Sequence, residues 1–160
     1  MKLRILSARS KNERWFHEAM ECYVAKISPL MPLTLENVAV GRRGRRQKSL
    51  QREEACQKLL NAIANHDFVV LCDEDGQGSQ SLGFAQKMQS WFNYSINKQI
   101  TFIIGGAYGV NPELKARANW VWSLSPLTMN HLVAELVLLE QIYRSLTILK
   151  NLPYHNDGDD

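Results

Sequence analysis

Apolar and polar positions change period repeatedly along the chain, and each change marks an element. KLRILSA (2–8) has strand character. In NERWFHEAMECYVAKI (12–27), Trp15, Phe16, Ala19, Met20 and Tyr23 fall on one face of an amphipathic helix. Pro29 and Pro32 then break the chain, and LTLENVAV (33–40) alternates as a second strand. A helix is predicted through LQREEACQKLLNAIA (50–64). DFVVLCD (67–73) is a short, continuously apolar strand, as expected where both faces of a parallel sheet are covered. EDGQGSQS (74–81) reads as a turn into a helix, LGFAQKMQSWFNY (82–94), followed by the strand QITFIIG (99–105). Asn111 as N-cap and Pro112 at the first helical position open a helix to residue 119. WVWSLS (120–125) is the last strand, and residues 130–150 form a long last helix. Strands alternating with helices predict an α/β fold, a mainly parallel sheet with helices on both faces. With no internal repeat or low-complexity linker, residues 1–160 read as a single domain.

The last helix departs from the amphipathic rule. Leu132, Val133, Leu136, Val137, Leu138, Leu139, Ile142, Tyr143, Leu146, Ile148 and Leu149 cover nearly its whole circumference. A helix on a monomeric sheet keeps one polar face. The pattern therefore predicts a homodimer with Leu136, Leu139, Tyr143 or their helical neighbours at the interface. The alternative is a central helix wrapped by the rest of the fold.

Composition narrows the class. Hydrophobic residues make up 45% and charged residues 22% of 160, ordinary for a globular protein. MKLRILSARSKNERWF has no signal-peptide core, and no apolar run reaches the ~18 residues that span a bilayer. A cytoplasmic protein is expected, without a membrane partner. The cysteines, Cys22, Cys56 and Cys72, suit a reducing compartment, and no CxxC pair points to a metal. The net charge of +3 is unevenly spread: GRRGRRQK (41–48) holds Arg42, Arg43, Arg45, Arg46 and Lys48, while the chain ends NDGDD. Such a loop is a candidate surface for a polyanion.

The stretch ITFIIGGAYGVNPEL (100–114) runs a strand into Gly105, Gly106 and Gly109. Glycine at such a turn lets something approach the backbone closely. A phosphate loop needs GxxxxGK[ST], and no such lysine follows. A dinucleotide fingerprint needs GxGxxG after the first strand, whereas this GGxxG follows a late one. The glycines alone leave open a ligand site or a tight strand–helix turn.

Their neighbours add a more specific signal. LCDEDG, IIGGAYG, WSLSPLTMNH and EQIYRSLTILKNLPYH occur in this order and spacing. Together they resemble the RlmH family of the SPOUT superfamily, large-subunit ribosomal RNA methyltransferases that modify N3 of a pseudouridine. The resemblance covers nearly the whole chain and is strongest from Asp67 to His155. It implies a deep trefoil knot in the C-terminal half, S-adenosyl-L-methionine as cofactor without a metal, and large-subunit (23S) ribosomal RNA, free or in the ribosome, as partner. By position in the motifs it implies cofactor contacts from Cys72, Gly105, Leu124, Ser125, Pro126, Leu127, Thr128 and Met129. Cys72 is read as apolar packing, not as a nucleophile.

Methyl transfer from a sulfonium requires alignment, and the acceptor N3–H must lose a proton. Candidates for that work are His131, Arg144, Tyr154 and His155, the last two matching a terminal YH motif of the family. Arg144 also has Glu140 four residues earlier as a helical partner. The chain departs from the family at Glu135, where an Arg is usual, at Asn130, where Pro or Ser is usual, and in the acidic residues after His155. Glu135 is expected to face RNA or the cofactor, where its charge would repel a phosphate. A second reading is therefore a non-catalytic RNA- or cofactor-binding relative, and a third is a methyltransferase with another RNA target.

Overall fold

In the computed structural model, residues 1–9, 13–41, 47–94 and 99–156 are described. Strands and helices alternate as β1 (Lys2–Arg9), α1 (Arg14–Ile27), β2 (Leu33–Ala39), α2 (Lys48–Ala62) and β3 (Phe68–Gly78). There follow α3 (Ser81–Tyr94), β4 (Gln99–Ile104), α4 (Pro112–Arg117), β5 (Trp120–Ser123) and α5 (His131–Leu149). The strands form one sheet in the order β2-β1-β4-β3-β5, with every pairing parallel. The predicted α/β class is the observed one.

Both faces of the sheet are buried, which explains the unbroken apolar runs. Leu3, Ile5, Val70, Ile100 and Phe102 face α1, α3 and α5, against Ile27, Phe84, Met88, Leu138 and Ile142. Leu6, Val69, Leu71 and Ile103 alternate to the other face, against Cys56 and Leu59 of α2 and Leu114 of α4. Caps set the starts of the last two helices: Asn111 accepts from the Leu114 N–H at 2.9 Å, and Asn130 from the Leu132 N–H at 2.8 Å.

Four local expectations change. Strand β3 runs on through the polar stretch read as a turn, to Gly78, by pairing with β5 across an irregularity between Cys72 and Gln77. Gly76 permits this: a Cβ there would lie 2.7 Å from the Trp122 carbonyl carbon, a backbone atom that cannot give way. Trp15, assigned to the apolar face of α1, is 46% exposed, while Phe16 is fully buried. Helix α5 packs on the sheet and against both α1 and α3, so much of its apolar girth is covered within the chain. Leu139, assigned to a dimer interface, belongs to this core, whereas Leu136 and Tyr143 are half-buried and Val133 is exposed.

Candidate functional site

A cavity of about 480 Å³ opens at the carboxyl edge of the sheet. Ligands of α/β proteins characteristically bind outside these strand ends, where the chain leaves each strand through a loop. Three segments wall the cavity: Cys72–Glu74 in β3, Ile104 at the end of β4 with the turn to Val110, and the β5–α5 connection with His131 and Ala134 of α5.

The glycine turn forms one wall. Gly109 has φ +75° and its N–H donates to the Gly106 carbonyl at 3.1 Å, closing the turn. A Cβ on Gly105 would stand 2.6 Å from Cγ1 of Val110, which also lines the cavity. Packing within the turn thus favours glycine at 105 by itself.

The opposite wall is braced by short polar links. The Ser125 hydroxyl accepts from the Leu127 N–H at 3.0 Å, and its carbonyl accepts from the Ser123 hydroxyl at 3.0 Å. The Thr128 hydroxyl donates to Glu74 at 2.7 Å, tying the β5–α5 connection to β3. Lys115 bridges Asp73 and Asp75 at 3.0 and 3.3 Å. These links hold loops from separate strands in one arrangement, with Ile104, Val110, Leu124 and Met129 adding apolar cover.

Of the residues assigned to the cofactor, Cys72, Gly105, Leu124, Ser125, Leu127, Thr128 and Met129 all line this cavity; Pro126, exposed between two of them, does not. Burial and the adjacent Asp73 raise the Cys72 thiol pKa, so the sulfur stays protonated and un-nucleophilic. Asp73, Glu74, Tyr108 and Ala134 also line the cavity; the first three lie within LCDEDG and IIGGAYG but carry no role assigned from the sequence, and Ala134 lies outside every motif. Asp73 and Glu74 follow an apolar strand directly, a position that could have signalled them.

The catalytic candidates separate into two places. His131 lines the cavity, and burial, reinforced by the nearby positive charge of Arg9, lowers its pKa below the ordinary 6.5 despite Glu13. Arg144, Tyr154 and His155 do not line this cavity. Arg144 lies thirteen residues beyond His131 on α5, about 20 Å along the axis at ~1.5 Å per residue. There Glu140 accepts from Arg144 Nε at 3.0 Å and from the Tyr154 hydroxyl at 3.1 Å, and Arg144 Nη1 is 3.1 Å from Nδ1 of His155. The terminal YH pair is thereby docked on α5.

Glu135 does not face the cavity or solvent. Its side chain is 1% exposed and its Oε2 lies 3.4 Å from Nε of Arg9, itself 5% exposed and stacked on Phe16. Burial raises the Glu135 pKa, while Arg9 opposes the rise. The repulsion anticipated between this carboxylate and a phosphate is removed by its burial and by its cationic partner. Arg42, Arg43, Arg45 and Arg46 lie outside the described residues. Lys48 is exposed at the start of α2, 5.8 Å from the Tyr108 ring centroid. Among the described residues no three His, Cys, Asp or Glu side chains are grouped to hold a metal, and no helix is long and apolar enough to cross a membrane.

The fold and the cavity define the class: an α/β protein with a ligand-sized cleft at the carboxyl edge of a parallel sheet. The chain belongs to the SPOUT methyltransferase family, whose model, described as "Predicted SPOUT methyltransferase", matches residues 1–155. It is 39% identical to the ribosomal RNA large subunit methyltransferase H of Bdellovibrio bacteriovorus, over 98% of this chain and 99% of that one. It is 36% identical to the protein of the same name from Methylobacillus flagellatus, over 98% of this chain and 100% of that one. Among solved structures, it resembles the SpoU methyltransferase AviRb from Streptomyces viridochromogenes, in complex with AdoMet, with TM-score 0.43 and 12% identity, over 89% of this chain and 57% of that one.

Proposed function

We propose that the chain is an S-adenosylmethionine-dependent methyltransferase acting on N3 of a pseudouridine in large-subunit (23S) ribosomal RNA. In this reading residues 1–160 form one SPOUT domain with a knotted C-terminal half, and two copies act as a homodimer in the cytoplasm. The observation that carries the reading is a 480 Å³ cavity walled by loops from three strands, in a chain 39% identical over nearly its full length to a ribosomal RNA large subunit methyltransferase H.

The lining fits S-adenosylmethionine. The volume lies within the ~300–1,000 Å³ of small-molecule sites. Gly105, Leu124, Ser125, Leu127, Thr128 and Met129 would hold it through backbone groups and apolar cover, with Cys72 as filling. The cofactor supplies an electrophilic methyl on sulfur. The protein's task is to bring the acceptor nitrogen into line and to remove its proton. His131, kept neutral at pH 7 by burial and by Arg9, is the group at the cavity suited to take that proton. When bound, the cofactor would supply a methyl to N3 with release of a thioether, and the cavity residues would hold it in line with the acceptor. Arg144, far along α5 from its own cavity, and Tyr154 and His155 docked beside it would serve chemistry only in the site of a second copy. The basic loop and Lys48 would supply attraction to the RNA backbone.

Mass mapping of methylated nucleotides in large-subunit ribosomal RNA tests the reading. Cells with the gene should carry one methyl at a pseudouridine that cells without it lack. Identical maps would refute it.

A further inference from the structure

The segment Gly106–Tyr108 has two sides. One lines the main cavity; the other lines a small hollow with about 20 Å³ of space, room for one water-sized group. Ala8, Arg9 and Ala55, all buried, form the base of the hollow, while Gln51 and Arg52 of α2 stand at its edge. His131 lines both spaces. The hollow is thus separated from the main cavity by a single turn of chain and shares with it His131, the proton acceptor of the proposed reaction.

Its chemistry suits one nucleotide. Tyr108 offers a half-buried aromatic ring, and base stacking on such rings is independent of base identity. Lys48 stands 5.8 Å from that ring, and Arg52 is 40% exposed beside it, with the Glu53 carboxylate at 3.3 Å. Arg9 is already balanced by Glu135 and shapes the base of the hollow rather than adding net charge to its edge. The enclosed space is too small for a ring but admits one oxygen. An acceptor in an in-line transfer must come within about 3–3.5 Å of the methyl, and therefore must bind directly beside the cofactor.

Resting on the methyltransferase reading, we propose that this hollow and its edge are the acceptor-nucleotide subsite. A pyrimidine carbonyl oxygen enters the hollow, the ring lies against Tyr108, and the backbone phosphate meets Arg52 and Lys48. This places the ring nitrogen to be methylated over the turn, within reach of His131.

The test uses the full chain, tritiated S-adenosylmethionine, and ribosomal particles from cells lacking the gene. Arg52→Ala and Tyr108→Ala should each raise KM for the particles about tenfold, as removal of a phosphate partner or a stacking ring does. Tyr108→Phe, which keeps the ring, should stay near wild type. Arg52 lines only the hollow, so calorimetry on Arg52→Ala should give wild-type S-adenosylmethionine affinity. If wild type methylates and both alanine variants match its KM and kcat, the subsite is refuted while the activity stands. If wild type binds the cofactor but methylates none of these particles, the methyltransferase reading falls and the subsite falls with it.

Discussion

Arg9, at the end of β1, and Glu135, in the first turns of α5, form an ion pair 3.4 Å apart with both side chains almost wholly out of solvent. The pair joins the sheet to the helix whose first residue lines the cavity. Breaking a buried pair costs about 3–5 kcal/mol, because the remaining charge is stranded, whereas replacing both partners by apolar groups is often close to neutral. The two single variants should not be equal. A stranded Glu135 can take up a proton, and its pKa is already raised by burial; a stranded Arg9 cannot shed one. Urea denaturation should therefore rank Glu135→Leu as the least stable, Arg9→Met as intermediate and the double variant nearest wild type. Since the carboxyl pKa is raised in the folded state, Arg9→Met should gain stability as pH is lowered through it and lose stability as pH rises. Equal single variants would contradict this account.

Gly105 separates packing from binding. Gly105→Ala places a methyl 2.6 Å from Val110 Cγ1, an overpacking expected to cost roughly 1–3 kcal/mol and to weaken S-adenosylmethionine binding. Adding Val110→Ala should restore most of the stability. If calorimetry finds that affinity returns as well, the glycine serves the turn; if affinity stays low in the stable double variant, the ligand itself needs the bare backbone.

His131 should set the acidic limb of the pH–rate profile. Its lowered pKa keeps the imidazole neutral to below pH 6.5, so kcat should fall only beneath that value. Burial is the larger cause and Arg9 the second, so Arg9→Met should move the midpoint upward. His131→Ala should lower kcat by about 10²–10⁴ with cofactor affinity retained. Wild-type kcat retained in His131→Ala would exclude His131 as the base.

The basic segment should act through salt. Changing Arg42, Arg43, Arg45 and Arg46 to Ala should weaken RNA binding and flatten log affinity against log salt by about 0.7–0.9 for each phosphate no longer neutralised. S-adenosylmethionine affinity should not change, because the cavity is built from residues beyond 71. A filter-binding titration with a wild-type slope would remove the loop from the RNA surface.

The half-buried Leu136, Val137 and Tyr143 follow the exposed Val133 along one face of α5, with Leu127, 73% exposed, in the connection before it. Sedimentation should show a dimer, and Val133→Asp with Leu136→Asp should give a folded monomer. A monomeric wild type would leave this apolar face without its expected partner.

The alternation of strands and helices was legible in the chain alone, because strand and helix periods are local properties. The cavity loops were legible only through the resemblance of their motifs to a known family, since the glycines alone left open a tight turn; all but Pro126 of the residues so assigned line one space. Whatever depends on residues distant in the chain emerged on folding. Strand β3 continues through polar residues because Gly76 lets β5 approach, and nothing within EDGQG announces that partner. Much of the apolar girth of helix α5 is covered by the sheet, α1 and α3, and a helical pattern does not record how many neighbours there are. Glu135 read alone is a misplaced charge; Arg9, from the far end of the chain, makes it half of an ion pair. Burial and pairing are properties of the surroundings, and a charged side chain acquires its meaning only when folding brings its partner across.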